Sequence, residues 1–231
     1  MKKIVILTLS LLFINEIATA QVDDDQLGAW YMYFWNTQFG ESQWGIQGDF
    51  QYRDWRGLGD REQLLLRSGL TFTPKESGVK FTLGYANIST GAYGTDSDAL
   101  TIEHRIYQEA LFSQTVLKRL LLTHRIRYEQ RFVEDQDFRT RYRYNLFINI
   151  PFNNETLVKN TVYFAFYNEL FINGEREIGD NRRVEFFDRN RTYVGLGYSL
   201  KDNMRFQLGF MEQTTNSFQK GQLQFSMHHS F

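Results

Sequence analysis

The chain has 231 residues, 21 Phe, 13 Tyr and 4 Trp, only two prolines, no cysteine and a formal net charge of −1. A polytopic helical membrane protein needs apolar runs of about 18 residues or more; beyond the N-terminus the longest uncharged stretches here, 26–40 and 81–95, span 15 residues each. The aromatic content excludes disorder, the absence of Cys excludes disulfides, thiolate metal sites and a lipobox anchor, and the near-zero charge gives no reason to expect nucleic acid as a partner.

At the N-terminus, Lys2 and Lys3 precede an apolar run from Ile4 to Ile14, and Ala18-Thr19-Ala20 supplies a small-x-small pattern. That order of regions predicts a secretory signal peptide over 1–20 with Ala18 and Ala20 as cleavage determinants, rather than a buried helix. The remaining residues, 21–231, form one domain of an exported protein, and the lack of cysteine fits a bacterial envelope protein independent of disulfides.

From there the chain reads with a period of two. Trp44, Ile46, Gly48, Phe50 and Tyr52 alternate with polar neighbours, as do Leu120 to Phe132, Tyr142 to Ile150 and Leu223 to Phe231. Successive strand side chains point to opposite faces, so each segment has one apolar and one polar face. Predicted strands fall near 27–38, 43–54, 61–73, 79–90, 101–115, 119–133, 138–150, 157–172, 185–199, 204–214 and 221–231. Most are about twice the five or six residues usual in soluble sheets. A strand tilted across a bilayer needs about 9–11 residues plus its wet ends. Short links near 39–42, 74–78, 116–118, 151–156 and 200–203 alternate with longer ones near 55–60, 91–100, 134–137, 173–184 and 215–220. Pro74 and Pro151 both fall in the short links. The fold class expected is therefore all-β: an antiparallel transmembrane β-barrel with short periplasmic turns and longer extracellular loops. Eleven segments conflict with the even strand number of single-chain bacterial barrels. The expectation is 10–12 strands with 12 favoured, the first segment threading the interior or pairing at a rim.

Residues 21–231 hold 18 Arg but only 6 Lys. Lys75, Lys118 and Lys201 sit in short turns, from which lysine can snorkel, whereas arginine occupies strand centres. Facing lipid, such charges would cost about 2–4 kcal/mol each at mid-bilayer, so they must face inward. Glu103, Arg105, Tyr107 and Glu109, then Arg125, Arg127, Glu129 and Arg131, then Arg139, Arg141 and Arg143 lie on three consecutive strands. Cross-strand neighbours stand about 5 Å apart, which predicts a carboxylate–guanidinium ladder that Arg53, Arg67, Glu169 and Arg191 extend around the wall. It would either select a small anionic solute, through bidentate guanidinium contacts, or neutralise itself and plug a barrel of this size.

Trp30, Trp35, Trp44, Tyr52, Trp55, Tyr93, Tyr163 and Tyr198 are candidates for interfacial girdles. Phe231 ends an amphipathic strand and resembles the C-terminal assembly signal of outer-membrane barrels. His104, His124, His229 and Ser68 fall on the lipid face, yet no Gly-x-Ser-x-Gly elbow exists, so no catalytic residue is assigned. Acidic groups at Asp96 and Asp98, at Glu134, Asp135 and Asp137, and at Glu175, Glu177 and Asp180 lack the spacing of a calcium loop. No metal site or cofactor is expected.

Arg139-Thr140-Arg141-Tyr142-Arg143-Tyr144, Tyr167-Asn168-Glu169-Leu170-Phe171, Asp188-Arg189-Asn190-Arg191 leading into Gly195-Leu196-Gly197-Tyr198, the opening Gly28-Ala29-Trp30, and Tyr52-Arg53 together resemble a Bacteroidota envelope family catalogued as domain of unknown function 2490. The resemblance covers nearly all of 21–231 and implies an outer-membrane barrel without naming a substrate. The function expected is an integral outer-membrane β-barrel, structural or a small-solute channel with a charged lumen. Its partners would be the lipid bilayer, lipopolysaccharide, the barrel-assembly machinery and a small anionic solute. A lipid-modifying barrel enzyme and a soluble periplasmic barrel binding a hydrophobic ligand are the alternatives.

Overall fold

The computed structural model describes residues 26–93 and 99–231. The signal-peptide expectation, with Ala18 and Ala20, and the acidic pair Asp96 and Asp98 lie outside the described residues. Each amphipathic segment is a strand: β1 (Gly28–Gln38), β2 (Trp44–Asp54), β3 (Arg61–Phe72), β4 (Val79–Gly91), β5 (Leu100–Val116), β6 (Leu120–Val133), β7 (Arg139–Pro151), β8 (Thr161–Asn173), β9 (Phe187–Lys201), β10 (Met204–Thr214) and β11 (Gln219–Ser230). They close into one barrel in sequence order.

The described residues form eleven strands, within the expected 10–12 but one short of the favoured twelve, and β1 neither threads the interior nor stops at a rim. Successive strands pair antiparallel, and the barrel closes through a parallel β1–β11 ladder running from Gly28↔Gln222 to Asn36↔Ser230. Parallel neighbours need a long crossover between them, and here the other nine strands are that crossover. An odd count therefore closes without an unpaired edge. It also puts Gly28 and the C-terminal end of β11 at opposite rims. Gly28 lies at the rim of loops 55–60, 134–138, 174–186 and 215–218 and of the β4 and β5 ends at Gly91 and Leu100. Phe231 lies at the rim of turns 39–43, 73–78, 117–119, 152–160 and 202–203.

Two connections differ from expectation. Pro151 is the last residue of β7, opposite Tyr163, rather than a turn residue. β8 begins at Thr161, not 157, because the Asn153 side chain accepts from the Val162 amide and donates to the Asn160 carbonyl, holding 152–160 as a structured turn.

The two faces are sorted by chemistry. Leu83, Ile126, Leu196, Leu208 and Phe225 are exposed on the outside, while Asp49, Arg67, Glu103, Glu109, Arg127, Glu129 and Arg143 are buried. Water-soluble barrels that carry hydrophobic ligands need the reverse arrangement, so the alternative that required apolar faces to point inward does not fit this structure.

Inside, tyrosine rings lie over glycines of the neighbouring strand. Tyr163, fully buried, faces Gly197, and Tyr107 faces Gly84. A Cβ on Gly197 would stand 2.0 Å from Tyr163 Cζ, and one on Gly84 2.2 Å from Tyr107 Cζ. The glycines make room for aromatic groups that fill the interior. Gly197→Ala is expected to destabilise the barrel by at least the ~1–3 kcal/mol of an overpacked core. The urea midpoint for loss of the folded species reads this directly, and an unchanged midpoint would contradict the Tyr163–Gly197 packing.

Candidate functional site

The register of β5 to β9 decides which charges meet. Glu109 stands opposite Arg127 and Arg105 opposite Arg131. Glu129 stands opposite Arg141 and Arg127 opposite Arg143, and Glu169 stands opposite Arg191. Two of these facing pairs are arginine against arginine, an arrangement that costs energy unless a carboxylate bridges it. Glu103 bridges the first, accepting from Arg105 (Nε 2.6 Å, Nη2 2.7 Å) and from Arg131 (Nε 2.5 Å, Nη2 3.0 Å).

Glu129 serves the second and is the hub of the interior. Arg141 donates to it through Nε at 2.9 Å and Nη2 at 2.6 Å, and Arg143 through Nη1 at 2.6 Å. Arg105 and Arg127 stand 3.8 Å away. Glu169 accepts from Arg143 and Arg125, and Glu109 accepts from Arg127 and Gln47. Of the fourteen charged residues read from the sequence, all but Arg125 are buried, and Arg125 retains only 14% side-chain exposure. Burying so many ions costs several kcal/mol each unless they are paired and hydrogen-bonded, as most of these are.

Three of the fourteen stand apart from the ion pairs. Arg53 donates to two neutral amides, Gln63 at 2.8 Å and Gln51 at 2.7 Å, and its Nε bonds nothing. Arg191 donates from Nε to Gln213 Oε1 at 2.8 Å. Arg139 is buried with its Nε unbonded. Arg53 and Arg191 both lie against the Trp30 indole, with guanidinium carbons 3.7 and 4.7 Å from its ring centroid. Trp30 itself donates to Glu62 at 3.0 Å.

These layers divide the interior into two chambers. The one nearer the turn rim, of about 280 Å³, has an aromatic wall that includes Trp30, Phe34, Tyr167 and Tyr193, across from Glu109, Arg125 and Arg127. The one nearer the loop rim, of about 220 Å³, is lined by eight arginines and a single carboxylate, Glu103.

Several contributors escape a reading of the sequence alone. Asp49 takes a bidentate bond from Arg67 at 2.9 Å, and both residues are buried. Strict alternation puts Asp188 on the opposite face from Arg191. A register shift in the β8–β9 pairing instead leaves it bonded to Arg141 at 2.8 Å and to Arg189. Trp30 and Tyr163, candidates for the girdle, are buried in the interior core cluster, whereas Trp44 and Tyr198 are exposed. At the loop rim Glu175 accepts from both the amide and the hydroxyl of Thr140, and these bonds hold its carboxyl below the usual carboxylate range.

On the outer face, His104 is hydrogen-bonded to Tyr85 at 2.5 Å, His124 to Tyr144 at 2.8 Å and Gln114 at 2.9 Å, and His229 to Tyr33 at 3.3 Å. These bonds join ring to phenol or amide; a serine–histidine contact, Ser226 Oγ to His228 Nε2 at 3.2 Å, lines the turn-side chamber instead. Among the described residues no group of three His, Cys, Asp or Glu is placed to hold a metal ion. No helix among them is long and apolar enough to cross a membrane, which says nothing of crossing by strands.

The family described as a protein of unknown function, DUF2490, matches residues 27–224. The chain belongs to this family. The DUF2490 match runs from β1 into β11 and includes all fourteen charged positions. Among curated proteins none matches the chain.

Proposed function

We propose that this DUF2490 protein is an integral outer-membrane β-barrel, exported through a cleaved signal peptide, whose charged lumen forms a small-solute passage that prefers anions. The observation that carries the reading is the inside-out distribution: large apolar side chains exposed around the outside and buried guanidiniums within. Water would drive that belt inward, whereas lipid accepts it. Connections that are on average shorter on one rim than on the other support a periplasmic position for the turn rim. Lipopolysaccharide would then meet the loop rim. The arginine excess of the interior supports the anion preference.

The test is a fractionation followed by planar-bilayer recording. The protein is expected to stay with membranes through carbonate and urea washing and to migrate differently on gels before and after boiling. Purified protein is expected to give conductance steps whose reversal potential in a salt gradient favours anions. Recovery in the soluble periplasmic fraction would overturn the membrane reading. Membrane retention with an electrically silent bilayer would leave a structural, plugged barrel, a reading favoured by the ion pairs that reach past a neighbouring strand, from Arg125 to Glu169 and from Arg141 to Asp188. A lipid-modifying enzyme has less support, because His104 and His124 bond to tyrosine and glutamine rather than to a nucleophile.

A further inference from the structure

We infer that the loop-side chamber is a binding site for a divalent oxyanion, held chiefly by Arg53 and Arg191. The inference deepens the anion preference proposed above and rests on it. The chamber is lined by Arg53, Arg67, Arg105, Arg131, Arg141, Arg143, Arg189 and Arg191, of which Arg53, Arg67, Arg143 and Arg191 stand at its boundary and also line the turn-side chamber. The carboxylates that pair with these eight are Asp49, Glu103, Glu129, Glu169 and Asp188. Adding Glu62, which accepts the Trp30 indole, still leaves two guanidiniums in excess.

Arg53 and Arg191 are the two with no carboxylate within ion-pair distance, although Glu169 stands opposite Arg191 in the register. Both are more than nine-tenths buried, both bond only to amides, and Arg53 Nε is a buried donor with no acceptor. A buried, uncompensated charge is among the most costly features a protein can carry. Gathering two of them at one indole is accounted for if an anion completes the set. Contact with Trp30 and the bonds to Gln51, Gln63 and Gln213 hold both guanidiniums, so much of their ordering cost is met before a ligand arrives. An excess of two charges matches a doubly charged ligand, and the fork geometry of guanidinium matches tetrahedral or planar oxyanions. Hydrogen phosphate, sulfate and small dicarboxylates share that chemistry.

Isothermal titration of the full-length, folded protein in detergent with inorganic phosphate tests the site without requiring conductance. One saturable site is expected, with sulfate competing and acetate competing at least tenfold less well. Arg191→Gln and Arg53→Gln are each expected to weaken phosphate at least tenfold. Arg205→Gln, in the turn-side chamber, is expected to leave it unchanged. A local readout guards against variants that fail to fold. Phosphate is expected to change the tryptophan emission of the natural protein, and Trp30→Phe is expected to abolish that change while retaining the binding heat. No saturable heat with folded natural protein, equal competition by acetate, or a fluorescence change that survives Trp30→Phe overturns the site. Phosphate binding in a barrel that never conducts would keep the site and remove the passage. Anion-selective steps without phosphate binding would do the opposite.

Discussion

Glu129→Ala is expected to be the most damaging single substitution in the interior, costing about 3–5 kcal/mol, the range for removing one member of a buried ion network. Glu129 is 1% exposed and accepts three hydrogen bonds from Arg141 and Arg143, with Arg105 and Arg127 at 3.8 Å. Its removal would leave four guanidiniums facing a gap with no carboxylate in it. Arg141 would keep Asp188 and Arg143 would keep Glu169, so the barrel would retain part of its network, and the cost would come from mutual repulsion and lost bonds. Glu129→Gln keeps the shape and two lone pairs but no charge, and an intermediate loss is expected. Glu175→Ala removes a carboxylate from an exposed loop together with its two bonds from Thr140 and is expected to cost about 1–2 kcal/mol, since both bonds are made near water. Refolding into detergent, followed by the fraction of heat-modifiable species against urea, measures all three. A Glu129→Ala midpoint equal to that of Glu175→Ala would show that the interior network does not hold the barrel together.

What the sequence discloses and what it hides divide along a physical line. Alternation is a local property, so the eleven strands and the sidedness of Arg127, Glu129 or Arg143 can be read from spacing alone. Register is not local. It decides that Glu103 rather than Glu109 bridges Arg105 to Arg131. A single slip in the β8–β9 pairing is enough to hide Asp188 from any strictly alternating reading. Closure is the least local property of all. Nothing in residues 28–36 signals a parallel partner at 222–230, and a rule drawn from strand parity points the other way. Trp30 illustrates the same limit at one residue. Its place at a strand end suggests a girdle, whereas its pairing with Arg53 across β1 and β2 puts it inside against two cations. The nearest signal was its spacing from Met32 and Phe34, which share its face.

The second large expected effect separates membrane from water as the solvent of the outer face. Leu208 lies near the middle of β10, opposite Leu196 and Phe225, and is 60% exposed. In a barrel surrounded by water, Leu208→Arg trades an exposed apolar group for a solvated one, and such surface changes usually stay within about 0.5 kcal/mol. In a bilayer the same side chain sits at hydrocarbon depth, and arginine there costs about 2–4 kcal/mol, falling to about 0–1 near the interfaces. Leu58 supplies the internal control, since it is 76% exposed but lies in the 55–60 loop at the rim. Leu58→Arg is expected to be nearly neutral, and Leu196→Arg to resemble Leu208→Arg. Folding into lipid vesicles, titrated with denaturant, gives the three values. The decisive quantity is the difference between strand centre and loop, because a general sensitivity to arginine would affect both alike. A graded loss that peaks at Leu196 and Leu208 places hydrocarbon around the middle of the barrel. Three equal, small losses would mean that the apolar belt meets something other than lipid, and the anion-preferring interior would then have to be explained without a membrane.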